Sequence, residues 1–313
     1  MSATLTQILI LNWNNGADTV VCVKSILQYS DARVTILDNN STDDSIELIR
    51  SGLSGDGLVV ITTGETSKIR NTNDRLVLIL SPQNTGFAGG NNFLMKLYIS
   101  DEQVRYFWLL NNDAVATPGT LAAMKAKMEE DSRNAFTGSL ILDFFEKDKV
   151  QCCGLHYYKY FGVSKMLLKN ELWTETSRSN LPYGKIGFQH GASLFVRKEA
   201  LATIGLMDEN FFLYFEEHDW QERAAKKGLK NNIAIDAIVY HKGSVSTSSR
   251  KHLFFYYYNR SSMIFARKHN SFFVLLCSVF LLSGITVVRT KLNAKSLSWG
   301  IKGLAEGLFK KIT

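Results

Sequence analysis

Residues 7–50 read QILILNWNNGADTVVCVKSILQYSDARVTILDNNSTDDSIELIR, and this stretch decides the fold. The apolar run 7–12 reads as a short strand that breaks at a polar turn around Asn14 and Gly16. A helical pattern follows through Val20, Val23, Ile26 and Leu27. A second strand, 34–37, ends in Asp38, Asn39, Asn40 and Ser41, where Ser41 or Thr42 caps a helix carrying Ile46, Leu48 and Ile49. Strand then helix, twice over, predicts a parallel sheet in an α/β protein.

Outward from there, about 51–74 is rich in Gly, Thr and Ser and reads as a surface insertion holding one hairpin. The pattern then resumes with a strand at 76–80, a glycine-rich loop at 84–92 and a helix at 93–99. A buried strand at 106–110 ends at Asn111, Asn112 and Asp113. Open α/β sheets bind ligands outside the carboxyl ends of their strands, so Asp38, the loop at Gly86 and Asp113 are expected to line one crevice. The second half is less regular. It shows a helix from 118 to about 130, strands near 135–142 and 191–197, and a helix at 218–227.

The chain has 313 residues, 45% hydrophobic and 21% charged with three prolines, a balance that builds a packed core and excludes disorder. Its net charge of +7 and pI near 9.1 do not choose a partner by sign alone. The excess gathers late, at Arg267, Lys268, Arg289, Lys291, Lys295, Lys302, Lys310 and Lys311, around apolar stretches, which points to a membrane surface and away from nucleic acid. Cys22, Cys152, Cys153 and Cys277 show no zinc or disulfide spacing, which fits a reducing, cytosolic setting. The N-terminal MSATLTQILILNWNNG has no basic residue before its apolar run and is read as a first strand, not a signal peptide.

Four segments carry chemistry. LLNNDA, 109–114, sets Asp113 directly after an apolar strand, where a carboxylate can hold a divalent cation against a diphosphate or, more plainly, cap a turn. NTGFAGGNN, 84–92, offers glycines for close backbone approach and asparagines for hydrogen bonding; it is no dinucleotide or Walker fingerprint, and its bland alternative is a tight turn. GLMDENFFLYFEEHDWQERAAKKG, 205–228, crowds Asp208, Glu209, Glu216, Glu217 and Asp219 among aromatics. Such surroundings raise a carboxylate's proton affinity and suit a general base, although an acidic first helical turn over a filled core explains the pattern too. His241 ends the apolar run 233–240, ahead of the polar stretch KGSVSTSSR.

Taken in order, ILNWNN, LDNNSTDDS, NTGFAGGNN, LLNNDA, GASLFVRKEAL, the 205–228 segment, VYHKGSVS and YYNRSSMIFARKH resemble the family 2 inverting glycosyltransferases of GT-A fold, in particular the bacterial rhamnosyltransferase-like branch of cell-surface polysaccharide synthesis. The resemblance implies a mostly parallel central sheet flanked by helices. A GT-A domain at 1–260 would bind nucleotide with about 1–115 and acceptor with about 116–260, ahead of a helical membrane-associating region at 261–313. It implies that Asn12, Trp13 and Asn14 border the nucleotide and that Asp38 contacts its base. Asn84, Gly86, Asn91 and Asn112 would neighbour base, ribose and diphosphate. Asp113, with His241, would hold Mg²⁺ or Mn²⁺. Glu217 falls where the family commonly has the Asp of a Glu-Asp pair, so it is the expected catalytic base, with Asp219 and Glu216 as alternatives.

The implied reaction moves a sugar, first choice L-rhamnose from dTDP-rhamnose, to a lipid-diphosphate-linked saccharide in O-antigen or related synthesis. UDP-hexose donors and a catalytically silent nucleotide-sugar-binding scaffold stay open. The uncharged stretch 271–288, SFFVLLCSVFLLSGITVV, flanked by basic residues, reaches about 27 Å as a helix against a hydrocarbon core of about 30 Å. Beyond it Ile301, Leu304, Leu308 and Ile312 share one face. An interfacial anchor, a spanning helix and burial in a homodimer or core are the three readings. The first places the enzyme peripherally on the cytoplasmic face of the bacterial inner membrane.

Overall fold

The computed structural model describes residues 5–71, 74–243 and 251–311. The first four residues of the N-terminal reading, most of the polar stretch after His241, and Ile312 lie outside the described residues.

Five strands, β1 (Leu5–Asn12), β2 (Arg33–Asp38), β3 (Val59–Thr62), β4 (Leu76–Leu80) and β5 (Val104–Asn111), form the parallel half of a ten-stranded sheet in the order β3-β4-β2-β1-β5. The sheet continues through β11 (Ser193–Arg197), antiparallel to both β5 and β7 (Asn134–Asp143). It then runs through β12 (Lys230–His241), parallel to β7, to β6 (Ala114–Ala116) at the edge, with β8 (Val150–Cys152) hooked onto β7. A separate hairpin pairs β9 (Leu155–Tyr158) with β10 (Val163–Met166).

The apolar runs are strands buried on both faces, and their alternation sorts the core into two layers. Ile8, Ile10, Val34, Ile36, Leu76, Leu78 and Trp108 meet α1 (Gly16–Tyr29), α2 (Ser45–Gly52) and α4 (Thr120–Glu129). Leu9, Leu37, Val77, Ile79, Phe107 and Leu109 meet α3 (Gly86–Tyr98), α6 (Leu201–Ile204) and α7 (Glu216–Lys226) on the other side. Each large aliphatic side chain so buried contributes about 1.5–3 kcal/mol. A short α5 (Glu175–Ser179) lies between β10 and β11 in the chain.

Two local expectations are corrected. The 51–74 stretch holds no hairpin: its strand is β3, a parallel edge strand paired in register with β4 from Val59↔Val77 to Thr62↔Leu80. Alternation at Val59 to Ile61 is too short to announce a partner far along the chain. The glycine-rich segment is no loop after Thr85; α3 begins at Gly86, so the glycines form its first turns.

The chain winds from β1 to β2 on one side, then returns past β1 to β5 on the other. The carboxyl ends of β1 and β5 therefore flank a topological switch point, where such sheets open a crevice. Three helices close the chain: α8 (Lys251–His269), α9 (Phe272–Thr290) and α10 (Ala294–Phe309). Position 260, where the sequence reading divides the chain, falls inside α8, whose residues 259–266 are buried. Arg267 donates to the Gly307 and Lys310 carbonyls at 3.0 and 2.8 Å, satisfying the open end of α10.

Candidate active site

The crevice is built from strand ends. At the end of β1 the buried Asn12 donates to Asp38 Oδ1 at 2.7 Å, and its own oxygen accepts from Thr19 at 2.7 Å and from Asn112 at 3.2 Å. Asp38 also accepts from the Ser41 hydroxyl at 2.6 Å and the Ser41 amide at 3.0 Å. Asn14, with φ of 53°, accepts from the Thr42 amide at 2.7 Å, so the loops after β1 and β2 are tied into one rim. Asn12 and Asp38 thus shape the rim, while Trp13 stands exposed beside them as the aromatic surface it offers.

On the same side, Asn39, next to Asp38, donates to Asn84 at 3.0 Å and to the Gly86 carbonyl at 3.2 Å, tying the segment after β4 to the loop after β2. The expectation that these glycines approach a ligand is corrected. Gly86 has φ of 72°, and a Cβ there would lie 2.4 Å from the Phe212 carbonyl; one at Gly90 would lie 2.9 Å from Leu11. Their close approaches are to protein. Asn91, expected beside the diphosphate, is buried in α3 and donates to the Phe87 carbonyl at 3.0 Å.

Across the crevice, Asp113 Oδ1 and His241 Nε2 lie 3.0 Å apart, joined because β6 pairs Ala114 with His241. Gln151 clamps the histidine: its amide nitrogen donates to the His241 carbonyl at 3.1 Å, which leaves Oε1 to accept from Nδ1–H at 2.5 Å. That network places an N–H at Nδ1 and leaves Nε2 facing Asp113, with Asn111 Nδ2 3.3 Å from it. Among the described residues no group of three or more His, Cys, Asp or Glu forms a metal cluster. The pair nonetheless fits a divalent cation, because adjacent ligands of an octahedral ion at about 2.1 Å stand about 3 Å apart. A carboxylate with an imidazole suits Mn²⁺ at least as well as Mg²⁺.

The acidic segment divides into three roles. Tyr214 and Phe215 take consecutive left-handed conformations, φ 68° and 66°, held by packing of Phe215 on Tyr157, Tyr258 and Phe265. This turn starts α7 with Glu216 and Glu217 in its first turn. Both have an unpartnered, buried Oε2. Burial and the neighbouring Glu217 push Glu216 well above the usual carboxylate range. Burial raises Glu217, but the adjacent His218 more than offsets it, so Glu217 is held below its ordinary value. The sequence expectation of raised proton affinity therefore holds for Glu216 and is corrected for Glu217.

Asp219 is fully buried and turned to α8, where it meets His269 at 2.8 Å, Lys268 at 2.7 Å and Arg223 at 2.9 Å. Burial alone would raise it; His269, Lys268 and Arg223 reverse this and hold it at about 2. With its carboxylate committed to Arg223, Lys268 and His269, Asp219 docks α8 on α7 and is withdrawn as an alternative base.

Sequence reading missed His190, Gln151, Lys242 and Asp18. His190 accepts at Nδ1 from the Ala192 amide at 3.0 Å, and burial together with His241 lowers it to about 4, so it stands neutral between Glu217 and His241. Lys242 pairs with Asp18 beside Asp113, whose carbonyl accepts from the Lys242 amide at 3.1 Å. A His before the GASLF motif was a usable signal; Gln151 had none, since its partner is 90 residues away.

Comparison with known proteins follows this geometry. The model of the family described as Glycosyl transferase family 2 matches residues 7–205, which covers the rim of Asn12, Asp38 and Asn84 together with Asp113 but stops short of Glu217 and His241. No curated protein matches the sequence at a significant level. Among solved structures, GalNAc-T7 with UDP, GalNAc and Mn²⁺ is similar over 98% of this chain at TM-score 0.57 and 12% identity. This chain spans 56% of that protein's length. A mannosyltransferase from Pyrobaculum calidifontis, in complex with GDP-Man and Mn²⁺, is similar at TM-score 0.57 and 10% identity, over 98% of this chain and 87% of its own. TarS of S. aureus is similar at TM-score 0.51 and 12% identity, over 98% and 82%. At these identities the likeness establishes the fold.

Proposed function

This chain belongs to glycosyl transferase family 2, and we propose that it transfers a sugar from a nucleotide diphosphate donor to an acceptor hydroxyl in a single inverting displacement. The observation that carries the proposal is the crevice at the β1/β5 switch point, with the Asp113–His241 pair at 3.0 Å on one side and the charged, part-unpartnered Glu217 on the other.

In this reading Trp13 and Asn14 border the nucleotide base and ribose on a rim that Asn12, Asp38 and Ser41 hold still. Asn84 extends that rim beyond β2 through its bond to Asn39. Asp113 and His241 would hold Mg²⁺ or Mn²⁺, which when bound neutralises charge on the departing nucleoside diphosphate. Lys242, now paired with Asp18, is placed to exchange that partner for a phosphate oxygen. Glu217 accepts the proton of the attacking hydroxyl as the new C–O bond forms and the bond to the diphosphate breaks. Glu216, kept neutral, avoids a second buried charge beside it.

We propose L-rhamnose from a dTDP-linked donor as the first substrate to try, on the strength of the sequence motifs, with UDP-hexoses next. The proposed acceptor is a lipid-diphosphate-linked saccharide of cell-surface polysaccharide synthesis at the cytoplasmic face. The test measures nucleotide release across dTDP-, UDP- and GDP-sugars with a detergent-solubilised lipid-diphosphate saccharide, with and without Mn²⁺ or Mg²⁺. Metal- and acceptor-dependent release from one donor, abolished in Asp113→Ala and Glu217→Gln, supports the reading. Turnover indifferent to both substitutions refutes the site; donor binding without turnover on any acceptor favours a silent binding protein.

A further inference from the structure

Helix α9 carries a face that the protein itself leaves uncovered. Val274, Ser278, Leu282, Thr286 and Thr290 recur every fourth residue and are buried against the protein. The opposite face presents Phe272, Phe273, Leu276, Phe280, Gly284 and Val287, with Phe272 75% and Phe280 79% exposed. A surface helix ordinarily turns charge outward; this one is uncharged around its whole circumference, its polar Ser278 and Thr286 facing inward, and no Asp, Glu, Lys or Arg interrupts it before Arg289.

Two further features say what covers that face. The turn between β9 and β10 packs on the inner side of this helix, with Ser278 donating to the Lys159 carbonyl at 2.6 Å. That turn exposes Tyr158, Tyr160 and Phe161, with the Lys159 ammonium over the Tyr160 ring at 5.3 Å. Amphipathic aromatics with a lysine are the side chains that settle at the level of lipid headgroups. At the other end, Arg289, Lys291 and Lys295 are exposed around Leu292 and make no ion pair among the described residues. An apolar strip with cations at its end matches an anionic bilayer surface.

The helix is also pinned along its inner side. Thr286 accepts from Asn259 at 2.9 Å and Ser278 holds the hairpin turn, so crossing a bilayer would strip both contacts and leave buried polar groups in hydrocarbon. We infer that α9 lies in the plane of an anionic bilayer, docking the protein monotopically through Phe272, Phe273, Leu276 and Phe280 with the Tyr158 to Phe161 turn beside it, and does not span. This deepens the proposal of a membrane-borne acceptor. It is tested without donor or acceptor, so failure of either reading leaves the other standing.

The full chain, purified free of detergent, is floated with phosphatidylcholine vesicles with and without 30% phosphatidylglycerol, as wild type, as Phe272→Glu/Phe280→Glu and as the milder Phe280→Ser. Unfolding curves and nucleotide binding verify that each variant is folded. The expected result is binding to the anionic vesicles that weakens at high salt, is released by alkaline carbonate, and drops at least tenfold in the double variant and measurably in Phe280→Ser. Absence of vesicle binding, or binding equal in wild type and both folded variants, overturns the inference. So does carbonate-resistant insertion, which would make α9 a spanning helix. A vesicle-indifferent dimer that both variants dissociate would instead assign the face to a second copy of the chain and overturn it as well.

Discussion

Asp219→Asn separates anchoring from catalysis. The carboxylate is fully buried and meets Arg223, Lys268 and His269 at 2.7–2.9 Å, which lowers it from its ordinary 3.8 to about 2. A displacement of nearly two pKa steps, at about 1.4 kcal/mol each, corresponds to about 2.5 kcal/mol of interaction favouring the charged form. The asparagine keeps the shape but leaves its cationic partners unneutralised, so the expected destabilisation is about 2–4 kcal/mol. Because the folded-state value is depressed, this contribution is fully present above about pH 4 and is lost as pH falls toward 2. Chemical denaturation at pH 7, paired with limited proteolysis around the junction of α7 and α8, reads the effect. Donor binding of the folded fraction is expected to stay at wild-type strength. A variant as stable as wild type yet as inactive as Glu217→Gln would refute the anchoring role and return Asp219 to the list of bases.

Glu217→Gln is expected to lower kcat by about 100- to 10,000-fold, with donor affinity little changed, because only proton transfer is removed; steady-state kinetics against donor concentration checks this. Gln151→Leu, which frees the His241 ring without touching Asp113, is expected to weaken Mn²⁺ binding by about 10- to 100-fold, measured by calorimetry or electron paramagnetic resonance, with no change in fold. Gly86→Ala places a Cβ 2.4 Å from the Phe212 carbonyl at a φ of 72°, and is expected to destabilise the chain by at least about 2 kcal/mol, read in denaturant midpoint.

The parallel half of the sheet was legible because its signals are local. Runs such as QILILN and TILD are strands buried on both faces, and helical periodicity follows each of them. The same locality exposed Asp113, which follows its strand immediately, and the acidic first turn at Glu216 and Glu217. The hairpin expected at 51–74 failed because β3 is an edge strand stabilised by β4, a partner no short pattern names. The glycine-rich segment was placed in a loop because glycine's poor helix propensity outweighed, on paper, the packing against Leu11 and Phe212 that demands it.

What the sequence determined by itself is the set of strand ends with the residue types that follow them, Asn12, Asp38, Asn84, Asp113 and His241, and the acidic helix start that carries Glu217. What tertiary structure decided is their division of labour. Pairing of β6 with β12 brings Asp113 to His241 across 128 residues of chain, and Gln151 then sets the proton on that ring. Glu217 is held below its ordinary value because the adjacent His218 outweighs its burial, whereas Asp219, two positions on, rotates about 200° around the helix to face α8 and its Lys268. Charge state and partnership depend on surroundings within a few ångströms, and those surroundings come from segments that only folding assembles.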